Sequence, residues 1–310
     1  MTGRLPTFLV IGAAKSGTTA LWSFLRQHPQ VFMPDLKEPH HFAFEPDRPA
    51  PVYRGPGATI HRDAVTDPND YRGLFGGAGE ATAIGEASAL YLYLPDAAAR
   101  IYAAIPDARL VAVLRQPADR AFSSYLHLKR QGREPAHDFE AALALEPERI
   151  ADEWGFLWRY RDLGHYPLQL RAYLDRFGSD RLLIHLYDDL VRDPVDVMRR
   201  TYAFLGVDPS FVPDVSARSN VGGVPRGWRG RLLGRGSPLR RGVSVLVPGR
   251  LRRWAGALAD RQALTREAIA PDTRRSLTGE FRSEIEDLGS LLGRDLSAWL
   301  RDPEPERRPQ

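Results

Sequence analysis

Cysteine is absent from the 310 residues of this sequence. A disulfide framework is therefore excluded, as is any metal site or reactive centre built on a thiol. Long apolar runs are missing as well. The N-terminal run Phe8–Ile11 is too short for the core of a signal peptide, and no run approaches the roughly 20 residues of a membrane span. These absences predict a soluble, cytoplasmic protein.

Lysine is almost as scarce as cysteine. Only Lys15, Lys37 and Lys129 are lysines among 43 basic residues, so arginine carries most of the positive charge. This usage favours a functional role for Lys15, which lies in the first predicted loop, over a chance surface charge. The rest of the composition, 43% hydrophobic and 26% charged, is typical of a globular chain with a sizeable core.

Strands alternate with helices along the chain. Apolar runs predict strands at Thr7–Ile11, Ala83–Ser88, Leu110–Leu114 and within Asp180–Leu190, and helices at 18–28, 117–130, 137–161, 167–177 and 194–207. This pattern predicts an α/β fold, a single domain whose central, mostly parallel sheet is flanked by helices. Ligands of such folds bind outside the carboxyl ends of the strands.

The domain is expected to cover residues 1–301, with its core at about 5–210 and a helical, arginine-rich part at about 215–301. The last residues, 302–310, are rich in proline and charge, which predicts a disordered tail. Proline and glycine are also frequent in Glu45–Gly79. We interpret that stretch as a long excursion over the site and not as a linker.

The stretch GAAKSGTTAL, between the first strand and the first helix, is typical of a phosphate-binding loop. Its glycines, Gly12 and Gly17, allow backbone N–H groups to converge on one anion at the start of a helix. Ser16, Thr18 and Thr19 add hydroxyl donors, and Lys15 adds a point charge. A Walker A loop would have lysine directly after the second glycine, where this sequence has Thr18.

The strand Leu110–Leu114 ends in Arg115. A magnesium-dependent nucleotide enzyme usually places an aspartate there, whereas a cation favours an anion. In the next helix Arg120, Ser123 and His127 share one face by their spacing. Arg115 and Ser123 are thus predicted to bind a second phosphate, with a plain helix-packing seam as the alternative for Ser123 and His127. No metal site is predicted.

Three motifs in order resemble the sulfotransferases that use 3′-phosphoadenosine 5′-phosphosulfate (PAPS). They are KSGTTAL in the first loop, KEPHHF about twenty residues later, and RQPADRAFSSY from Arg115 to Tyr125. The resemblance is to a bacterial branch similar to the glycosaminoglycan (heparan sulfate-type) sulfotransferases. It implies a P-loop-like fold, PAPS as sulfuryl donor, adenosine 3′,5′-bisphosphate as product, and no metal.

The resemblance also implies roles for individual residues. Lys15 would stabilise the charge on the leaving oxygen, while Ser16, Gly17, Thr18 and Thr19 hold the 5′-phosphosulfate, and Arg115 with Ser123 holds the 3′-phosphate. Glu38 in KEPHHF would be the general base that activates the acceptor. His40 is the alternative base, and an ion pair between Glu38 and Lys37 is the alternative without catalysis.

Other polar residues are weaker candidates. Glu86 ends a predicted strand and is expected to orient the acceptor or to pair with Lys15. Asp188 and Asp189 are interpreted as a helix N-cap region before Pro194, in preference to acid–base residues. Because His40 and His41 are adjacent, an extended chain would direct them to opposite sides, which argues against a shared metal.

Ten arginines and no acidic residue occupy Val215–Ala259. This segment is interpreted as a patch that binds a membrane surface or an acidic acceptor, as a patch that binds nucleic acid nonspecifically, or as a closing element in which Arg218 or Arg226 covers the 3′-phosphate. Solvated arginines without a specific role are the remaining alternative.

The sequence thus predicts sulfuryl transfer from PAPS to a hydroxyl, less readily an amine, of a glycan, glycolipid or secondary metabolite. The expected partners are a carbohydrate or small-molecule acceptor and, peripherally, an anionic membrane surface, with no specific nucleic acid. Two alternatives stay open: a nucleotide kinase with a divergent phosphate loop, and a noncatalytic anion-binding protein.

Overall fold

A parallel sheet of five strands forms the centre of the molecule. The computed structural model describes residues 4–46, 48–57, 61, 64–216, 224–225, 264–265 and 268–301. The strands are β1 (Phe8–Gly12), β2 (Val31–Phe32), β3 (Ala83–Ala87), β4 (Arg109–Leu114) and β5 (Leu182–Leu186), in the spatial order β2-β3-β1-β4-β5. Every pair within this sheet is parallel. The predicted α/β class with a parallel sheet is therefore confirmed.

The helices in the described ranges are α1 (Thr18–Leu25), α2 (Pro68–Gly73), α3 (Pro95–Ala104), α4 (Pro117–Arg130), α5 (Phe139–Ala144), α6 (Glu146–Ala151), α7 (Tyr166–Phe177), α8 (Tyr187–Arg192), α9 (Pro194–Leu205), α10 (Pro271–Glu280) and α11 (Arg282–Leu292). A short antiparallel ribbon joins β6 (Val224–Pro225) to β7 (Leu264–Thr265). Proline stands in the first turn of many of these helices, where its missing N–H costs nothing.

Helices cover both faces of the sheet. One apolar cluster places Leu9 and Leu110 of the sheet with residues of α3, α7 and α11. The other places Val10 and Val111 with residues of α1 and α9. Because both faces are buried, β1 and the part of β4 after Arg109 are apolar and do not alternate with polar residues.

Two local predictions are wrong. The predicted helix at 137–161 is only partly helical, because α5 and α6 end by Ala151 and a short 3-10 turn follows at Phe156–Trp158. The helix is interrupted at Pro147, which lies in the first turn of α6, and at Gly155, which precedes the 3-10 turn. The N-cap of α9 is Asp193, whose carboxylate accepts a hydrogen bond from the Asp196 amide at 3.0 Å, and not Asp188 or Asp189.

The segment 45–79 has little regular structure where it is described. It contains a 3-10 turn at Gly55–Gly57 and the helix α2, whose N-cap is Asp67. Arg218, Arg226, most of the arginine-rich segment and the tail 302–310 lie outside the described residues. Within the described ranges, no helix combines the length and apolarity needed to cross a bilayer.

Candidate functional site

The loop between β1 and α1 has the backbone geometry of an anion cradle. Gly17 has φ 100° and directly precedes the first residue of α1, which lacks a side-chain cap. A Cβ at Gly17 would lie 2.9 Å from Leu190 Cδ2 and 3.1 Å from the Tyr187 ring, so only glycine fits. The first amides of α1, at Thr18 and Thr19, are therefore free of a competing cap and suit an anion.

Lys15 lies at the crest of this loop with φ 69°. Burial, together with the nearby positive charges of Arg130, Lys37, Arg115 and Arg120, lowers its pKa to about 8. Among the described residues no carboxylate forms an ion pair with Lys15. Several positive charges thus act at the loop, and Lys15 itself has no described carboxylate partner, which is a favourable electrostatic condition for binding an anion.

Arg115 lies beside the loop, as its position at the end of β4 predicts. Its Nη1 is 3.5 Å from the Lys15 carbonyl oxygen, and its guanidinium stacks on the Tyr187 ring at 4.6 Å. The Tyr166 hydroxyl donates to the Arg115 carbonyl oxygen at 2.9 Å. The buried Ser16 hydroxyl, near Tyr166, has no hydrogen-bond partner of good geometry. A donor left open in this way fits a bound phosphate oxygen.

The helix α4 presents Ser123 and His127 as half-buried side chains. Burial and the charges of Lys15 and Arg130 lower the pKa of His127 to about 4, so His127 lies close enough to the loop to respond to Lys15. Arg120 behaves differently. It is fully buried and donates through Nη2 to the Tyr160 carbonyl oxygen, while its Nε and Nη1 lack partners.

Glu38 follows β2 and has φ 63°. Its carboxylate accepts hydrogen bonds from the Lys37 ammonium and, at 2.8 Å, from the Ala89 amide, and lies 3.7 Å from His40 Nε2. Burial alone would raise the pKa of Glu38, but the charges of Lys37 and His40 and these hydrogen bonds hold it below its ordinary value. The carboxylate is thus ionised at neutral pH, as a base must be. The expected ion pair with Lys37 is also present, and it does not prevent Glu38 from acting as a base.

His40 is buried with φ 55°, and its Nδ1 lacks a partner. Burial and Lys37 lower its pKa, against the opposing effect of Glu38. His41 instead stacks on Tyr71 with ring centroids 4.0 Å apart, and its Nδ1 lies 2.8 Å from the Val65 carbonyl oxygen. The expectation of an extended chain here is wrong, because His41 begins a 3-10 turn. The described residues contain no metal-binding group of three His, Asp or Glu.

Glu86 lies near the end of β3, as the sequence predicts, but its partners differ from those expected. It is fully buried in β3 and accepts hydrogen bonds from Tyr71, Ser88 and Tyr91, and no ion pair in the described structure joins it to Lys15. Burial raises its pKa to about 7, and the charge of Glu38 acts in the same direction. Since it has no exposed surface, it cannot touch an acceptor, and both roles expected for it are corrected.

Asp188 and Asp189 hold the C-terminal helices in place. Asp188 accepts from Trp299 Nε1 at 2.6 Å, and Asp189 pairs with Arg294 at 2.6 Å and with Arg192 at 2.5 Å. Asp189 is buried, and its two arginine partners keep its pKa low. These carboxylates are structural, which rules out the acid–base alternative.

Several residues at the site were missed from the sequence. Tyr187 directly follows β5, so the rule that ligands bind at the carboxyl ends of strands was sufficient to find it. The charges of Arg130 and Lys37 act on Lys15. Arg130 carries no motif, and Lys37, within KEPHHF, was expected only as a partner of Glu38. His61, whose ring lies 4.8 Å from that of His40, has both nitrogens buried without partners, and it comes from a segment without periodicity.

Known proteins are similar to this chain. A sequence model described as "Sulfotransferase family" matches residues 6–211. Human bifunctional heparan sulfate N-deacetylase/N-sulfotransferase 3 is 30% identical over 304 residues, which cover 96% of this chain and 31% of that protein. Mouse heparan sulfate glucosamine 3-O-sulfotransferase 3A1 is 31% identical over 204 residues, covering 66% of this chain and 46% of that protein. The chain thus spans less than half the length of these two relatives.

A solved structure is similar over nearly the full length. The crystal structure of a sulfotransferase from Alicyclobacillus acidocaldarius superimposes with a TM-score of 0.76 at 36% identity, covering 96% of this chain and 100% of that one. The family match, the two relatives and this structure agree with one another and with the resemblance of the three sequence motifs. The chain belongs to the sulfotransferase family of enzymes.

Proposed function

We propose that this chain transfers the sulfuryl group of PAPS to a hydroxyl, less readily an amine, of a carbohydrate acceptor. One observation carries the proposal. Lys15, which forms no ion pair with a described carboxylate, is acted on by the charge of Lys37, and Lys37 in turn is hydrogen-bonded to the ionised carboxylate of Glu38. An anion site and a base are thereby neighbours, as transfer from an anionic donor to a neutral nucleophile requires.

The donor site uses residues at the ends of β1 and β4. The amides and hydroxyls of Ser16, Thr18 and Thr19 suit the 5′-phosphosulfate, and Arg115 with Ser123 suits the 3′-phosphate. Two separate anion sites match a donor with two separate phosphate groups. PAPS, when bound, supplies the sulfuryl group and a bridging oxygen that leaves with the adenosine bisphosphate. No metal-binding residue is needed in this scheme.

Lys15 stabilises the negative charge that develops on the leaving oxygen. Its lowered pKa of about 8 leaves the ammonium mostly charged near neutral pH. Burial strengthens its interaction with the anion, because the surrounding low dielectric weakens the Coulomb attraction less than water does. The neighbouring positive charges lower the pKa of Lys15 in the free protein. The phosphates of the donor, once bound, neutralise these charges.

Glu38 takes the proton of the acceptor as the acceptor oxygen bonds to sulfur and the bond from sulfur to the leaving oxygen breaks. Its ionised state and its fixed backbone suit that role. His40 is the alternative base, since it lies 3.7 Å from Glu38 and has a free Nδ1. The acceptor class is inferred from the relatives, whose names state heparan sulfate as their substrate.

Two variants test this function together. Purified protein is assayed for transfer of labelled sulfate from PAPS over a panel of oligosaccharide, glycolipid and phenolic acceptors. Lys15→Ala is expected to lower kcat by about 100- to 1000-fold, because a donor aimed at developing charge is lost. Glu38→Gln is expected to lower kcat by about 100- to 10,000-fold, while affinity for adenosine 3′,5′-bisphosphate, measured by calorimetry, is kept.

Lys129→Ala is the matched control for charge, since Lys129 lies at the far end of α4 and its ammonium donates to the Ala136 carbonyl oxygen. His40→Asn separates the two bases: a larger loss in this variant than in Glu38→Gln would assign the base to His40. Magnesium-dependent turnover of ATP without binding of the bisphosphate would instead support a kinase and refute the proposal.

A further inference from the structure

The segment that carries the proposed base has an unfavourable backbone. Glu38 and His40 have φ of 63° and 55°, in the left-handed region that non-glycine residues seldom adopt. Such conformations persist only where surrounding contacts determine them. The contacts that hold residues 38–42 therefore decide where the Glu38 carboxylate stands.

Four of these contacts are hydrogen bonds with the end of β3 and the turn after it. The Glu38 amide donates to the Ala87 carbonyl oxygen at 2.9 Å, and the Ala89 amide donates to the Glu38 carboxylate at 2.8 Å. The other two contacts use side-chain hydroxyls as acceptors. The His40 amide donates to Ser88 Oγ at 3.0 Å, and the Phe42 amide donates to the Tyr91 hydroxyl at 3.2 Å.

Both hydroxyls are also bonded to Glu86. Ser88 Oγ donates to Oε2 at 2.9 Å, and the Tyr91 hydroxyl donates to Oε1 at 2.7 Å. The Tyr71 hydroxyl reaches Oε1 at 3.3 Å but accepts no amide from the 38–42 segment. Glu86 thus lies behind two of the four hydrogen bonds that join the segment to β3 and the turn after it, although no hydrogen bond joins Glu86 to the segment itself.

The charge state of Glu86 sets the direction of these hydrogen bonds. An ionised carboxylate only accepts, so it draws the single proton of each hydroxyl and leaves the hydroxyl lone pairs for the His40 and Phe42 amides. A protonated carboxyl, or an amide in its place, presents a donor to one hydroxyl. That hydroxyl must then turn its proton elsewhere, and its anchor to the segment weakens.

We infer that Glu86 is a positioning residue for sulfuryl transfer, which holds the Glu38 carboxylate in place through Ser88 and Tyr91. The inference rests on the proposed function for its effect on rate. This role of the buried carboxylate differs from the two roles expected from the sequence, which were direct contact with an acceptor and an ion pair with Lys15.

A pH profile follows from the same network. The titratable groups that face Glu86 are Tyr71 from α2, Tyr91 from the turn after β3, and Glu38 from the loop after β2, while its partner position in β1 is Leu9. The tyrosines titrate well above pH 10 and Glu38 below its ordinary range. With its pKa near 7, Glu86 is the member of this group that changes charge near neutrality.

The test compares Glu86→Gln, Tyr91→Phe and Tyr71→Phe. Glu86→Gln is expected to lower kcat by about 100-fold at pH 8, since a small misplacement of a reacting group has that effect, with bisphosphate affinity unchanged. It should also remove the rise of wild-type kcat through pH 7. Tyr91→Phe should lower kcat by about tenfold and Tyr71→Phe by less than about threefold, because both lose a hydroxyl at Glu86 but only Tyr91 anchors the segment.

Amide hydrogen exchange at His40 and Phe42 provides a readout that does not need activity. Exchange at both amides should be faster in Glu86→Gln, faster at Phe42 in Tyr91→Phe, and unchanged in Tyr71→Phe. If Glu86→Gln does not fold, the comparison of the two tyrosine variants still decides. Unchanged exchange, or a loss of rate equal in both tyrosine variants, overturns the inference. If the wild type transfers no sulfate, the proposed function fails, and the exchange data alone decide on Glu86.

Discussion

Backbone strain is concentrated at the residues proposed to act on substrate. Four non-glycine residues in the described ranges have positive φ, and Lys15, Glu38 and His40 are three of them, with Glu153 the fourth. Each such conformation costs roughly 1–3 kcal/mol, which the surrounding structure must offset. Strain of this kind clusters at functional sites, so its distribution supports the choice of these three residues independently of any sequence motif.

The lowered pKa of Lys15 predicts that donor binding depends on pH. Because its pKa is lowered to about 8, the ammonium is charged below that pH and neutral above it. The affinity for adenosine 3′,5′-bisphosphate is therefore expected to be level near pH 7 and to fall by up to about tenfold per pH unit above 8. Isothermal titration calorimetry between pH 7 and 9.5 measures this directly.

Lys15→Arg is the control for that titration, because a guanidinium keeps its charge throughout the range. Its affinity should be lower than that of the wild type at pH 7 but level with pH. A wild-type affinity that stays level to pH 9.5 would show that the charge of Lys15 does not contribute to binding.

The elements bring the site together because parallel strands end at one edge. The loop after β1 supplies Lys15, the turn after β3 supplies Ala89, the end of β4 supplies Arg115, and Tyr187 follows β5. Adjacent parallel strands are about 4.8 Å apart, so residues separated by a hundred positions in the chain become neighbours. The order β3-β1-β4-β5 thus places the proposed base on one side of the phosphate loop and Arg115 on the other.

Gly85 tests how tightly β3 must approach β1. A Cβ at Gly85 would lie 2.3 Å from the Phe8 ring, which is buried in the middle of the sheet. Gly85→Ala is expected to reduce the free energy of unfolding by about 1–3 kcal/mol, as overpacked core substitutions do. It should also impair transfer, because Glu86 and the turn that anchors residues 38–42 follow directly. Urea unfolding followed by circular dichroism measures the first effect.

Gly279→Ala is the matched control in an element that tolerates a side chain. Gly279 lies within α10, and a Cβ there meets no atom within 4 Å. Because alanine favours a helix over glycine, this variant should gain about 0.5–1 kcal/mol of stability. Equal effects of the two substitutions would refute the close approach of β3 to β1.

At the scale of the whole molecule, the C-terminal helices support the donor site from behind. Arg294 pairs with Asp189 of α8, and Trp299 Nε1 donates to Asp188 in the same helix. Gln116, next to Arg115, donates through Nε2 to Thr278 Oγ1 at 2.9 Å. Residues 268–301 are thereby part of the unit that holds Arg115 and Tyr187, although the family match ends at residue 211.

Arg294→Ala tests this support. Its loss leaves the buried Asp189 with Arg192 as its remaining ion-pair partner. Stability is expected to fall by about 1–3 kcal/mol, the range for hydrogen bonds to charged groups, and bisphosphate affinity should fall with it because α8 carries Tyr187. Thermal unfolding with and without the bisphosphate measures both effects.

Arg282→Ala is the control, since Arg282 is exposed and its ion-pair partner Glu286, 3.9 Å away, lies within the same helix α11. A surface pair of this kind contributes about 0–1 kcal/mol, so little change is expected. An equal loss in both arginine variants would mean that the contact with Asp189 gives no special support.

Predictions from local pattern were accurate where the information is local. Each of these features can be read from a few consecutive residues: the apolar runs of β1 and β4, the glycines around Lys15, and the cation after β4. The prediction of one helix at 137–161 was wrong because the proline and glycine within this stretch interrupt a helix that its other residues favour. The predicted environment of Glu86 was wrong because the hydroxyls of Tyr71 and Tyr91 reach it from a helix and from a turn. Their spacing in the sequence does not indicate that they contact Glu86.

The sequence by itself determined the α/β class and the family, and it predicted the phosphate loop, since each depends on residue type and short-range spacing. Only the tertiary structure decided which groups meet: Lys37 between Lys15 and Glu38, Tyr187 under Arg115, and Glu86 behind Ser88 and Tyr91. The reason is physical. Strand order and helix docking set the distances between remote residues, and burial then sets their pKa values, and neither quantity is contained in a local pattern.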